Sequence, residues 1–173
     1  MQSNTDCCFC SGNDWFRYRV GAIIISGEYA LFAYSETDKH YYSVGGGVHI
    51  GEHSRDAVLR ETMEETGMKL EIERPLCIVE NFFYGTGTLG GLNCHAVEFY
   101  YLMKPAEKVE INVNSVTCNG IVEKMCWLPI SRLEEYDIRP KIAVKLASEP
   151  PKEFSVLVNE QREDIRTAAN ETL

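Results

Sequence analysis

The chain has 173 residues, of which 45% are hydrophobic and 25% charged, and its formal net charge is -9. This composition is ordinary for one globular domain with its own core, and the acidic balance argues against nonspecific nucleic-acid binding, which depends on clustered Lys and Arg. No apolar run approaches the roughly 18 residues of a membrane span, and the polar start lacks the basic and then apolar order of a signal peptide. We therefore expect a cytoplasmic protein without membrane contact.

Three segments are expected along the chain. Residues 1–14 are predicted as a disordered N-terminal segment, residues 15–150 as the folded domain and residues 151–173 as a C-terminal extension. The polar, charged tail from Glu160 onward is expected to be a frayed helix or disordered.

Seven cysteines raise the question of disulfides or zinc. Their odd number and the lack of a signal peptide favour reduced thiols. Cys7 and Cys10 have the spacing of half a zinc site, but a second pair of ligands is missing and structural zinc normally takes four. The sequence therefore predicts ordinary thiols at Cys7, Cys8 and Cys10. The other four are scattered at Cys77, Cys94, Cys118 and Cys126.

Several β-rich runs follow one another along the chain. Gly27 and Glu28 between the first two indicate a hairpin with a type II′ turn, and Pro75 is expected to separate the fourth from the fifth. The sixth is apolar on both alternating faces, apart from one histidine and one glutamate, so it should be covered on both sides. The expected strands are residues 19–26, 29–35, 42–44, 69–73, 77–84, 95–103 and 121–128.

Helices are expected in three places. The strongest signal predicts a helix over residues 55–66, because Ser54 is a good N-cap and Gly67 suits the left-handed residue that ends a helix. Ser131 should cap a short helix, and Pro140 should begin another that reaches about residue 147.

The first of these helices has two different faces. At roughly 100° per residue, Glu61, Glu64 and Glu65 fall within about 100° of one another. The opposite arc holds the expected core residues Val58, Leu59, Thr62 and Met63.

Like charges three and four residues apart repel, by roughly 0.2–0.5 kcal/mol per pair in an isolated helix. Two explanations are open. The face could be solvated, with Arg60 neutralising Glu64, or it could bind a divalent cation through hard oxygen ligands.

Spacing favours the cation. The pattern consists of glycine, five residues, glutamate, seven residues and then Arg-Glu-x-x-Glu-Glu-x-Gly, and it resembles the Nudix box. Thr62 and Met68 depart from the aliphatic residues usual at their positions. The residues that carry the resemblance are Gly46, Glu52, Arg60, Glu61, Glu64, Glu65 and Gly67.

The resemblance implies an α/β/α sandwich with a mixed β-sheet. It also implies hydrolysis of a nucleoside diphosphate linked to another moiety, such as a nucleoside triphosphate, a nucleotide sugar or ADP-ribose. Mg²⁺ is the implied cofactor, with Mn²⁺ as a substitute, because a metal neutralises the phosphate oxygens and lowers the pKa of bound water. The alternative is a Nudix-like sensor that binds a nucleotide without turnover. The expected partner is a small nucleotide-type molecule, and formation of a homodimer stays open.

By the same resemblance, Glu61, Glu64 and Glu65 would hold or serve the metal, with the Gly45 carbonyl as a further ligand. One glutamate would orient the attacking water, and which one stays open. Arg60 would pair with Glu52 and lock the loop onto the helix.

A further carboxylate from outside the box is expected at the metal. Glu98 and Glu123 are the candidates, and we favour Glu123 because loop residues more often complete sites. Glu98, within a strand, is then expected to be structural or to bind substrate.

Substrate selection is expected from aromatic residues beside a glycine-rich loop. Phe82 and Tyr84 precede residues 85–91, and this pairing could stack a base and close over it. Tyr42 is a further candidate. The alternative is that these rings are strand core and the loop is a long turn.

Overall fold

The computed structural model describes residues 5–108, 110–111, 115–116 and 122–162. Over these residues the chain forms ten β-strands, two α-helices and two short 3-10 helices. The strands are β1 (Cys8–Ser11), β2 (Asp14–Ile23), β3 (Ile25–Ser26), β4 (Tyr29–Ser35), β5 (Tyr41–Ser43), β6 (Ile72–Tyr84), β7 (Asn93–Met103), β8 (Ser115–Val116), β9 (Val122–Pro129) and β10 (Ser155–Glu160). The α-helices are α1 (Ser54–Thr66) and α2 (Ile142–Ser148), and the 3-10 helices are Gly87–Leu89 and Ile130–Glu135.

The strands form two sheets. The first has the order β1-β2-β7-β6-β10, in which β2 runs parallel to β7 and β10 parallel to β6, while the other pairs are antiparallel. The second has the order β3-β4-β9-β8, with β5 also paired to β4, and all of its pairs are antiparallel. The predicted mixed sheet is therefore confirmed.

The two α-helices belong to two different cores. On β7, Tyr100 points into the core that contains α2, whereas the next residue, Tyr101, points into the core that contains α1. Successive side chains of a strand point to opposite faces, so the two helices lie on opposite sides of the sheet. This is the α/β/α arrangement that the sequence predicted. No helix of the described residues is long and apolar enough to cross a membrane.

Strand β7 is covered on both faces over only part of its length. Its last four residues, from Tyr100 to Met103, are all buried, but burial alternates over the earlier residues. The prediction of two covered faces is therefore confirmed for one end of the strand.

The hairpin at Gly27 is confirmed, and the break at Pro75 is wrong. β3 pairs with β4 across a two-residue connection, and Gly27 has a φ of 57°. Pro75 instead lies inside the single strand β6, between register shifts on either side. A bulge accommodates proline because the ladder hydrogen bonds are already irregular there.

The start of α1 differs from the prediction and its end agrees. The N-cap residue is His53, with no side-chain cap hydrogen bond within the described part of the chain, and the Ser54 hydroxyl lies 2.7 Å from the Tyr101 hydroxyl. Ser54 therefore links the helix to the sheet and does not cap it. Gly67 ends the helix with a φ of 70°, and its N–H donates to the Met63 carbonyl.

The buried arc of α1 is rotated from the expected one. Val58 and Thr62 are fully buried, but Leu59 is 36% and Met63 is 52% exposed. Glu65 is buried instead, because the glycine turn packs against that side of the helix.

Both ends of the domain contribute strands that the sequence did not predict. β1 falls within the expected disordered segment 1–14, and β10 falls within the extension 151–173. The short helices after β9 begin at Ile130 and Ile142, close to their predicted positions. The tail beyond residue 162, Cys118 and the first residue of the predicted strand 121–128 lie outside the described residues.

Candidate active site

A cleft of about 990 Å³ opens over one face of the first sheet. Its floor consists of side chains at alternate positions of three adjacent strands. Arg17 and Arg19 come from β2, Ala96 and Glu98 from β7, and Asn81 from β6. The floor thus places two cations and a carboxylate side by side.

A glycine turn brings α1 to the edge of this cleft. The Gly45 N–H donates to Glu65 Oε2 at 3.1 Å, and the Gly45 carbonyl accepts from Arg19 Nη2 at 3.1 Å. A Cβ on Gly46 would lie 2.5 Å from the carboxylate atoms of Glu61. Glycine lets the backbone pass directly against the helix carboxylates, and a larger residue would displace Glu61.

Arg60 ties the loop before α1 to the helix. Its Nε and Nη2 donate to the two oxygens of Glu52 at 2.8 and 2.9 Å, which is the bidentate geometry of a strong charge-assisted pair. Nη2 also donates to the Gly47 carbonyl at 3.0 Å, and Nη1 donates to Glu61 at 2.7 Å and to Glu64 at 3.2 Å. The predicted contact between Arg60 and Glu52 is present in this geometry.

The three box glutamates have different surroundings. Glu65 is only 8% exposed, and burial, reinforced by the nearby charge of Glu61, raises its pKa to about 8. Burial also raises the pKa of Glu61, and the Arg60 guanidinium opposes that shift. The Glu64 side chain is 60% exposed. Two carboxylates are therefore held close together in a poorly solvated position, where their ionised forms are disfavoured.

Glu98 lies in the middle of a polar network. Its two oxygens accept hydrogen bonds from Asn81 Nδ2 and from the Tyr100 hydroxyl, each at 2.7 Å, and Arg19 Nη1 lies 3.5 Å away. Arg19 also donates to the Ser43 carbonyl at 2.7 Å. The buried mid-strand glutamate therefore has the partners that its ionised form requires.

Glu123 is buried as well, and it lies within β9 and not in a loop. The Tyr42 hydroxyl donates a hydrogen bond to it. Burial raises the pKa of Glu123, and the positive charges of Arg19 and Arg17 oppose that shift. Both candidate carboxylates therefore line the same cleft.

The structure separates the predicted aromatic residues. Tyr42 and Tyr84 line the cleft. Phe82 lies away from it, stacked on His95 with ring centroids 4.3 Å apart. Side chains alternate along β6, so the neighbouring Phe83 faces the cleft from within the strand, whereas Tyr84 lines the cleft at the point where the strand ends. The cleft lining thus includes Phe83 and not Phe82, and a role of Phe82 in substrate binding stays a prediction.

The family follows from a comparison with known domains. A family model for the NUDIX domain matches residues 15–147, most of the chain. The chain belongs to the Nudix hydrolase family. It is an enzyme of the Nudix pyrophosphohydrolase class, which acts on acid anhydrides.

Solved Nudix structures share the fold. The MutT NUDIX hydrolase from Burkholderia pseudomallei is 25% identical, with a TM-score of 0.55 over 78% of this chain and 97% of that chain. The mutator MutT protein from Bacillus halodurans is 14% identical, with a TM-score of 0.60 over 84% and 91% of the two chains. An ADP-ribose pyrophosphatase from Streptococcus suis is also 14% identical, with a TM-score of 0.55 over 83% and 98%. No match was found among curated proteins.

Nudix hydrolases generally use divalent metals. Among the described residues, no group of three or more His, Cys, Asp or Glu side chains is arranged as a metal site. Arg60 donates a hydrogen bond to Glu61, and the Gly45 N–H donates one to Glu65. The donor set nevertheless fits a divalent cation. Its members are hard oxygen ligands, and a positive charge beside the buried Glu65 and the partly buried Glu61 would stabilise the ionised form of both.

The sequence analysis missed the basic and polar residues of the Nudix cleft floor. These residues are Arg17, Arg19 and Asn81, and two arginines spaced by two residues in a strand share one face. That spacing was the available signal for Arg17 and Arg19. Asn81 had no comparable signal, because its position depends on how β6 pairs with β7.

Proposed function

We propose that this enzyme hydrolyses a diphosphate linkage in a nucleoside diphosphate linked to another moiety, with Mg²⁺ as cofactor and Mn²⁺ as a substitute. The observation that carries the proposal is the position of two carboxylates, the buried Glu65 and the partly buried Glu61, which a glycine turn places at the edge of a large cleft. When bound, the metal would neutralise phosphate oxygens and lower the pKa of an attacking water.

The chain's own residues would divide the remaining work. Glu61, Glu64 and Glu65 would hold the metal, and one of them would orient the water. The Gly45 carbonyl is a further candidate ligand, although it accepts a hydrogen bond from Arg19 here. Arg60 would keep Glu52 and the loop fixed to α1, so that the glutamates keep their positions.

Glu123 would complete the metal site, and Glu98 would have a structural or substrate-binding role. The surroundings of Glu98 support these separate roles, because both of its carboxylate oxygens already accept hydrogen bonds from protein donors. Tyr42 and Tyr84 would contact the organic part of the substrate from the cleft wall.

The substrate would be a nucleoside triphosphate, a nucleotide sugar or ADP-ribose. The size of the cleft suits a ligand with a moiety on each side of a diphosphate. The structural relatives include proteins named MutT and an ADP-ribose pyrophosphatase, which directs attention to nucleoside triphosphates and ADP-ribose. A sensor without turnover is disfavoured, because binding alone does not require a repulsive carboxylate cluster.

A panel of these nucleotides, assayed for phosphate or pyrophosphate release with and without Mg²⁺, tests the proposal. We expect the enzyme to hydrolyse at least one of these nucleotides, and we expect a chelator to abolish that hydrolysis. Binding of nucleotides without any release would support the sensor instead. Purified Glu73→Gln, altered at an exposed glutamate outside the cleft, is the matched control for substitutions of the box glutamates.

We also propose that two copies of the chain associate through β10. Among the described residues this strand is the last in its sheet. Phe154, which directly precedes it, and Val156 and Val158 within it are 53%, 60% and 63% exposed. An antiparallel pairing centred on Val156 would place Phe154 opposite the partner's Val158. Apolar residues would then meet apolar ones across the twofold axis. The cytoplasmic location expected from the sequence stays a prediction.

A further inference from the structure

Three rows of side chains cross the face of the first sheet that carries the cleft, and the strand register sets their order. Listed from β2 across β7 to β6, they are Arg19, Glu98 and Val79; then Arg17, Ala96 and Asn81; then Trp15, Cys94 and Phe83. Successive rows are two residues apart along each strand, which is about 6.6 Å. The third row therefore lies about 13 Å from the first.

The chemistry changes from one row to the next. The first row is charged, and the second presents a methyl group at Ala96 between Arg17 and Asn81. The third ends in two aromatic rings, because Trp15 and Phe83 both line the cleft and meet edge to face, with centroids 6.4 Å apart and an angle of 69°. Both residues are only partly buried, so part of each ring is accessible from the cleft.

The reacting end of a substrate would lie at the first row. Glu65 accepts from the Gly45 N–H, and the Gly45 carbonyl accepts from Arg19, so the box carboxylates adjoin that row. This step rests on the proposed function. A diphosphate held there would direct its sugar over Ala96 and its base toward the third row.

We propose that Trp15 and Phe83 form a stacking platform for the nucleobase of the substrate. Every base has a planar face that stacks on aromatic rings, and such stacking tolerates different bases. Arg17, held by Asp6 at 3.2 Å, supplies a cation between the platform and the carboxylates, where it meets the phosphate or the ribose. The ligand class at this subsite is the nucleoside portion of a nucleoside diphosphate.

Fluorescence of Trp15 can report the contact directly. Trp127 packs against the core that contains α1, so the Trp127→Phe variant leaves Trp15 as the single tryptophan. The probe is ADP, added in excess chelator to prevent turnover, with inorganic pyrophosphate and ribose 5-phosphate as comparisons. We expect ADP to quench Trp15 emission in a saturable way, and the two comparison ligands to leave it unchanged.

Substitutions then separate the platform from the rest of the fold. Phe83→Leu and Trp15→Leu should each weaken ADP binding about tenfold or more, measured by calorimetry. Phe16→Leu is the matched control, because Phe16 is the neighbour of Trp15 and points to the other face, where it stacks on Phe9. Circular dichroism and thermal melts establish that the variants remain folded.

The outcomes distinguish this inference from the proposed function. ADP binding that leaves Trp15 emission unchanged and is unaffected by Phe83→Leu would overturn the platform, even if nucleotides are hydrolysed. The absence of any ADP binding would overturn it as well. Quenching of Trp15 without hydrolysis of any nucleotide in Mg²⁺ would support the platform and refute the proposed function.

Discussion

Gly46 and Glu61 approach each other so closely that a side chain at position 46 has no room. A Cβ there would fall 2.5 Å from the carboxyl carbon and from both carboxylate oxygens of Glu61. The conflict is with the end of a flexible side chain and not with backbone, so the protein can fold by moving the carboxylate. The glycine therefore governs the position of Glu61 more than the stability of the fold.

Gly46→Ala should lower kcat/KM by about tenfold to a hundredfold, because a displaced catalytic group loses much of its effect. The melting temperature should change little. The control is a double-mutant cycle with Glu61→Ala, in which the alanine at position 46 no longer meets a carboxylate. If Gly46→Ala lowers kcat/KM by the same factor in the wild type and in Glu61→Ala, the explanation is contradicted.

Removing the charge of the box glutamates should remove most activity and leave the fold intact. We expect Glu64→Gln and Glu65→Gln each to reduce kcat by about a hundredfold or more, the scale expected for a group that acts in the transition state. Added Mg²⁺ should raise the melting temperature of the wild type, because a ligand that binds only the folded state stabilises it. Full turnover in excess chelator, or wild-type rates in both variants alongside Glu73→Gln, would refute the metal assignment.

Glu98 and Glu123 should respond differently to neutralisation. Glu98→Gln leaves Arg19 beside a neutral group, so we expect it to reduce the free energy of unfolding by about 2 kcal/mol or to weaken substrate binding. Glu123→Gln should instead lower kcat and weaken the dependence on Mg²⁺. Denaturant melts and Mg²⁺ titrations of the rate measure the two effects. If Glu98→Gln alters the metal dependence and Glu123→Gln does not, the roles are reversed.

The features that the sequence predicted well are those with local causes. The extent of α1, its end at Gly67 and the hairpin at Gly27 follow from the conformations of a few adjacent residues. The contact of Arg60 with Glu64 has a local cause as well, because residues four apart share a helix face. The pair of Arg60 with Glu52 was implied by the resemblance to the Nudix box.

The features that it predicted poorly depend on long-range pairing. β10 pairs with β6 across more than 70 positions, and nothing local marks residues 155–160 as part of the sheet. Phe83 and not Phe82 faces the cleft because of the register of β6, and a shift of one residue reverses every side chain. Glu65 is buried because the glycine turn packs on it, which helix periodicity does not reveal.

The cysteines should behave as ordinary thiols of graded accessibility. Burial raises the pKa of Cys77 to about 11, whereas Cys8 and Cys10 are exposed. Thiol titration of the native protein near pH 8 should therefore modify Cys10 readily and Cys77 only after unfolding, because the thiolate is the reactive form. Metal analysis should find no stoichiometric zinc. One zinc per chain that is lost on replacing Cys7 and Cys10 would contradict this prediction.

Association through β10 should be sensitive to charge at the proposed twofold axis. Val156→Lys would place two lysines directly opposite each other, and like charges across a strand pair are destabilising. We expect the wild type to have the mass of a dimer by light scattering and Val156→Lys to have that of a monomer. Ile50→Lys is the matched control, since Ile50 is a similarly exposed apolar residue, 55% accessible, outside β10. This interface is excluded if the wild type is a monomer, or if both substitutions dissociate the dimer equally. If the Val156→Lys monomer still hydrolyses nucleotides, each cleft works alone.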